Sequence, residues 1–480
     1  MHKMISVRTP SLLGSSSNLN DIVSFLSVKE VGNLFFVEKS INASIKYLLK
    51  CFSDRHTSFN TSISTASPTA RLTLMKELDR SIRFFRPFRP TSPRWAPLST
   101  QLPAGFTRGG FGENYNEIAY SIGYISSNPA NRRPLVAAGV HNQLSELLSD
   151  QQATPLAKER AALALGALSV EDANRQPLVA AGVHNQLSAL LSDPLATPLA
   201  KETAALALWN LSHNPDNRQP LVAAGVHIPL SVLLSDQHAT PLAKQWAAVA
   251  LGDLSLDPAN RQALMVDGVH NQLSALLSDP QATPEAKQWA AGALCNLCLD
   301  PANRQPLVVD GVHNQLSALL RDPQATAEAK EGAARALGNL SNDPANHQPL
   351  VADDVHSPLC ILLSDPQATR EAKEVAAKVL YNLSRTLDNR QPLVVDGVHN
   401  QLSALLSDPQ ATPEAKEVAA MALWYLAEDP ANRQPLVAAG VHNPLSALLR
   451  DPEATPVAKQ WASRALRNLE PTPRGCCVIS

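Results

Sequence analysis

Apolar positions in this chain fall into three registers that follow one another in a fixed order, and the order repeats every 43 residues from about residue 113 onward. The stretch NRQPLVVDGVHNQLSALLSDPQATPEAKEVAAMALWYLAEDPA, Asn389 to Ala431, contains all three. Its opening predicts a first helix of about two turns. Asn389 is its expected N-cap, Pro392 falls in the first turn where backbone N–H groups lack partners, and Gly397 ends it. Leu402, Leu405 and Leu406 then share one face of a second helix, which Ser407-Asp408-Pro409 stops. A third helix opens with Thr412 as N-cap, Pro413 at its first position and Glu414 in its first turn, where the helix dipole favours an anion. It runs through EVAAMALWYLA, whose small Ala residues let neighbouring helices approach closely.

The phase of the repeat is strict. Asn131, Asn174, Asn217, Asn260, Asn303, Asn346, Asn389 and Asn432 are spaced 43 apart without insertion or deletion. A unit of this size cannot bury its own apolar faces, so each must stack on the next, and the period indicates a solenoid. The string NRQPLV..GVHNQLSALLS...AAxALxNLS resembles the armadillo repeat over roughly 113–470. The glycines between first and second helices (Gly139, Gly182, Gly225, Gly268, Gly311, Gly397 and Gly440) favour that reading over a two-helix HEAT repeat, and Asp354 is the one departure. The resemblance implies an all-α fold, a right-handed superhelical solenoid of about eight three-helix repeats. ENYNEIAYSIGYISS, residues 113–127, reads as the third helix of an incomplete leading unit.

Armadillo arrays are binding scaffolds, and the family holds extended peptides in a groove lined by third helices. The family's peptide-contacting Asn of ALxNL is matched by Asn210, Asn296, Asn339, Asn382 and Asn468; Ala167, Asp253 and Tyr425 replace it elsewhere. An amide donates to C=O and accepts from N–H, so such a ladder reads peptide backbone; the alternative role is capping each helix's own end. The columns before it vary most among the copies. They hold Leu163, Leu206, Val249, Gly292, Arg335, Lys378, Met421 and Arg464 one turn earlier, and Trp246, Trp289 and Trp461 two turns earlier. Arg335, Lys378 and Arg464 make the C-terminal half basic and suited to an acidic partner segment. The tryptophans are either packing between units or anchors for a partner. Nuclear-import adaptors of the family pair Trp with Asn four residues later, and that pairing is absent.

Composition removes other classes. The 480 residues are 44% hydrophobic and 18% charged with a formal net charge of −2, which recommends neither nucleic acid nor a basic partner. Histidine recurs at His141, His184, His227, His270, His313, His356, His399 and His442. Stacked helices lie about 8–10 Å apart while a metal needs ligand atoms within about 2 Å, so these residues belong to the inter-helix turns and no metal or cofactor is expected. The lone CNLC of Cys295 and Cys298 reads as packing. No nucleophile, base and orienter cluster recurs and no phosphate-binding Gly-rich loop is present, so the array reads as non-enzymatic. The six cysteines are too sparse for a disulfide framework and point to a reducing compartment.

The flanks are different in character. The expected organisation is a disordered N-terminus over 1–18, a helical segment over 19–80, a Pro/Arg/aromatic linker over 81–112, the array over 113–470 and a tail over 471–480. LNDIVSFLSVKEVGNLFFVEKSINASIKYLLK, Leu19 to Lys50, resembles a degenerate F-box, a helical motif that binds the adaptor subunit of cullin-type ubiquitin ligases; a plain helical cap is the other reading. The linker interleaves Arg83, Arg86, Arg89 and Arg94 with Phe84, Phe85, Phe88 and Trp95, either as a solvated spacer or as a contact for anionic lipid or single-stranded RNA. RGCCVIS ends in a C-a-a-X signal with Cys477 as prenylation site, and adjacent Cys476 supplies a palmitoylation site, the second signal that stable anchoring needs. No secretory signal or bilayer-spanning run is evident. The sequence is thus read as a scaffold on the cytosolic face of a membrane. The alternatives are a ubiquitin-ligase substrate receptor, using residues 19–50 for the adaptor and the array for the substrate, and a soluble transport or cytoskeletal adaptor.

Overall fold

The computed structural model describes residues 115–470; the F-box-like segment, the linker and the cysteine tail lie outside the described residues. Within them are 25 α-helices, two short 3-10 turns at Pro258–Asn260 and Pro344–Asn346, and no strand. The described residues belong to two compact units that divide between Asn174 and Arg175.

The unit quoted above shows how local sequence sets each element. Its helices are Leu387–Val395, Val398–Ser407 and Pro413–Glu428. Gly397 adopts φ +77°, a left-handed conformation that side chains resist, and so turns the chain between the first two helices. Six further glycines repeat this geometry, and Asp354 (φ +58°) is the only described non-glycine residue with positive φ. Thr412 caps the third helix, its Oγ1 accepting from Ala415 N at 3.0 Å, with Pro413 at the first helical position.

One expectation is corrected. Asn389 is not the N-cap: the first helix begins at Leu387, which leaves Asn389 buried in its first turn and Pro392 inside the helix. The cap falls one residue before the helix in the sister repeats, where Asn128, Asn214, Asp300 and Asp429 accept from the backbone N–H two positions on. The Asn389 amide instead donates to Leu383 O and to His347 O of the preceding repeat, both at 3.1 Å. Asn174, Asn346 and Asn432 make the same double contact. The contact common to all eight asparagines is the one to the carbonyl six residues earlier, so the strict 43-residue phase belongs to the staple between the end of each third helix and the first helix that follows it.

In the first unit, helix Tyr115–Ser126 packs along Pro155–Ser169, and Ala161, Ala162 and Ala164 are wholly buried. In the second unit the third helices Pro198–Ser212, Pro241–Ser255, Pro284–Cys298, Ala327–Leu340, Arg370–Ser384, Pro413–Glu428 and Pro456–Leu469 each pack against the next. Their Ala columns, such as Ala204, Ala247, Ala290, Ala333, Ala376, Ala419 and Ala462, are all fully buried. A Cβ at Gly332 would sit 3.4 Å from Ala291 Cβ, in ordinary van der Waals contact across the seam.

Polar ladders run beside this apolar seam. Lys201, Lys244, Lys287 and Lys330 each reach the Asp of the next repeat's turn (Asp236, Asp279, Asp322, Asp365) at 2.6–3.1 Å. Those carboxylates also accept backbone N–H groups within their own turns. The His238 backbone N–H, with Lys201, holds the Asp236 carboxyl below its usual range; for Asp322 the corresponding donors are Gln324 N–H and Lys287, and for Asp365 they are Lys330 and Gln367 N–H. The histidine column forms a second ladder: Nε2 of His227, His270, His313 and His356 meets Asp267, Asp310, Asp353 and Asp396 at 2.6–2.9 Å. Where the next repeat carries Ala instead of Asp, as beyond His184 and His399, the ring has no such partner and burial lowers its pKa.

Candidate partner-binding surface

The third helices present one column of amides and two columns of variable side chains. Of the amides, Asn210 and Asn382 are buried, and Asn296, Asn339 and Asn468 are half-buried. Asn296 donates to Ser255 Oγ at 3.0 Å and Gly252 O at 3.4 Å, both in the preceding repeat. Asn382 donates to Ser341 Oγ at 3.0 Å and to Asn342 Oδ1 at 3.3 Å. Asn339 donates to Cys295 O at 3.4 Å, with Cys295 Sγ at 3.6 Å. These amides bridge repeats rather than cap their own helices. Their NH2 groups are engaged, so the carbonyl oxygen is the group each can offer to a partner's N–H.

Asp253 stands in the amide column where its neighbours carry Asn. Burial pushes its carboxyl pKa up, opposed by His213, whose Nδ1 lies 3.4 Å away, and by Arg218. A half-buried carboxylate there is an uncomfortable anion in a column built for neutral amides.

The tryptophans divide into two kinds. Trp246 lies flat on Trp209 of the preceding repeat, with centroids 4.9 Å apart and planes 15° from parallel. Trp461 packs against Trp424 at 4.7 Å. Both pairs join successive repeats. Trp289 has Gly252 in the corresponding place, and it remains 41% exposed. Trp209 and Trp424 were not among the expected residues; their offset of 37 from Trp246 and Trp461 is the sequence signal that could have found them.

The basic residues also differ in their surroundings. Arg335 pairs with Glu331 on its own helix at 2.9 Å. Lys378 is exposed. Arg464 lies over the Trp461 ring at 4.6 Å. A further column escaped the reading altogether: the Arg of the recurrent NR dipeptide. Nε of Arg132, Arg218, Arg261, Arg304, Arg390 and Arg433 donates at 3.1–3.3 Å to the carbonyl six residues earlier, at the end of a third helix. Asn and Arg of these six NR pairs thus close the unsatisfied carbonyl end of the preceding helix, where a cation also suits the dipole.

Cysteine chemistry is muted on this surface. Burial raises the Cys295 thiol, raises Cys298 further, and pushes Cys360 up to about 12, so all three are protonated at neutral pH. Cys476 and Cys477 lie outside the described residues, and no described helix is long and apolar enough to cross a membrane.

No family model and no curated protein matches this sequence. Among solved structures it is similar to an engineered protein determined by the Northeast Structural Genomics Consortium, at 24% identity and a TM-score of 0.52, over 75% of this chain and 95% of that one. A second engineered protein from the same consortium aligns at 22% identity and a TM-score of 0.44, over 51% of this chain and 98% of that one. The first likeness concerns the fold, an all-helical repeat array.

Proposed function

We propose that this protein is a non-enzymatic scaffold that binds extended polypeptide segments along its third helices, as the armadillo resemblance implies. The observation that carries the reading is where the repeats diverge. Caps, staples and Ala seams are held nearly constant, while the columns containing Leu163, Trp289, Arg335 and Lys378 change from copy to copy, and these four residues are exposed. A helix face under packing constraint alone would keep one residue type, as the Ala columns do. The test is selection of a random peptide display library on the full chain. Enrichment of extended sequences whose binding weakens roughly tenfold in Trp289→Ala supports the proposal. Recovery of no peptide above background by the folded protein counts against it.

The tail completes this reading with a tether. In a chain that ends at Ser480, Cys477 matches the prenylation tetrapeptide and Cys476 supplies a second acylation site. Cys477→Ser is then expected to move the protein from membrane to soluble fractions, and equal fractionation of both forms removes the tether. The apolar pattern of residues 19–50 favours one second reading, a ubiquitin-ligase substrate receptor. Retention of the ligase adaptor by the full chain, lost on deleting residues 19–50, would establish it.

A further inference from the structure

Near the C-terminal end of the array an open cleft gathers Arg390, Arg433, Arg464 and Arg467 around Trp424, with Glu428 and Asn468 completing its lining. In a chain of formal net charge −2, this is four guanidinium groups against one carboxylate. Arg390 pairs with Glu428 at 3.0 Å; Arg433, Arg464 and Arg467 have no carboxylate within 4.0 Å among the described residues.

Three of the four guanidinium groups, those of Arg390, Arg433 and Arg464, are held in place rather than free to search. Nε of Arg390 and of Arg433 is spent on helix-end carbonyls at 3.1 and 3.3 Å, which leaves the terminal nitrogens as donors. Arg390 also lies over the Tyr425 ring at 5.4 Å and Arg464 over Trp461 at 4.6 Å, and Trp461 is itself packed on Trp424. Two members come from the recurrent NR column. The other two break the repeat pattern: Arg467 replaces the Trp or Tyr found one and two repeats earlier at Trp424 and Tyr381, and Arg464 replaces Met421. Elsewhere a member of the same column faces an acid, as Arg218 faces Asp253. No comparable acid offsets the last three arginines.

A single carboxylate would neutralise one of the three unpaired cations. A phosphate monoester carries close to two charges at neutral pH and three acceptor oxygens, and the planar fork of arginine meets such oxygens in pairs. We propose that this cleft reads a phosphorylated side chain on the bound polypeptide, with Arg433, Arg464 and Arg467 meeting the phosphate and the Trp424 face meeting the residue beside it. This rests on the scaffold reading above and adds the chemical class of its partner.

The test uses the full chain and fluorescence anisotropy with a labelled peptide of alternating Ser and Glu, in a form bearing one phosphoserine and in its unphosphorylated twin. The phosphorylated form is expected to bind at least about tenfold more tightly, with inorganic phosphate competing. Arg464→Gln combined with Arg467→Gln removes the difference; neither residue's side chain closes a helix end, and circular dichroism checks that the fold is kept. Equal binding of the two peptides overturns the phosphate proposal and leaves the scaffold standing, whereas binding of neither counts against both. Preference for the phosphopeptide that survives the double substitution overturns the assignment to this cleft. Binding to phosphatidylinositol-phosphate vesicles in place of the phosphopeptide overturns it too.

Discussion

Single residues in this array can be judged against seven sister positions in the same chain, which turns departures into predictions. Asp354 holds a left-handed backbone where every sister position has Gly. Asp354→Gly should therefore raise the unfolding free energy by about 1 kcal/mol, since the lost ion pair with Arg321 is exposed on both sides and worth little, and His356, 3.4 Å from Asp354, keeps its shorter contact with Asp396 at 2.9 Å. Urea titration of the two forms measures it, and an unchanged or lowered midpoint refutes it. Asp253 is a second departure. Because burial raises its folded pKa, the carboxyl ionises more readily in the unfolded chain, so the site disfavours folding at neutral pH and the penalty is relieved as pH falls. Asp253→Asn, which restores the sister residue, should raise the melting temperature at pH 7, and the gain should shrink on acidification. Asn389→Ala runs the other way. It strips a buried donor from two carbonyls, and about 2–3 kcal/mol of stability should go with it.

The helices themselves depend on few side chains, each with two tasks. Thr412 Oγ1 accepts from Ala415 N to cap the third helix and donates to Glu374 Oε2 of the preceding repeat, both at 3.0 Å. Loss of both bonds in Thr412→Ala should cost about 1–2 kcal/mol. Amide exchange should quicken first over the opening turn of helix Pro413–Glu428, while Thr412→Ser stays close to the parent. This cap and the glycine turns were legible in sequence because caps and positive φ are local requirements. The first helix differs for the complementary reason: Asn389 and Thr386 are both acceptable cap residues, and only the tertiary partners decide, with Thr386 Oγ1 meeting His347 Nδ1 at 2.8 Å and Asn389 reaching the carbonyls of Leu383 and His347 from inside the helix.

For the molecule as a whole, the polar ladders set the response to pH. Asp236, Asp322 and Asp365 have folded pKa values below the ordinary 3.8, so the stability they contribute is complete above that value and is lost as pH falls through the lower folded values. Acid titration by circular dichroism should show helix loss below about pH 4, and Lys330→Met should remove part of Asp365's share. High salt should reproduce little of this effect, because the lysines are largely buried. The sequence alone determined the class of fold, the number of repeats, the third-helix boundaries and the apolar seam, because period, caps and Ala content act within one unit and are written 43 residues apart. Tertiary structure decided what the same residue types do once units meet. It put the amides of Asn296 and Asn382 onto the preceding repeat, stacked Trp246 on Trp209 while leaving Trp289 exposed, and brought Arg390, Arg433, Arg464 and Arg467 into one cleft. Those pairings depend on how helices from different repeats are set against one another, and a linear pattern carries that arrangement only after the stack is built.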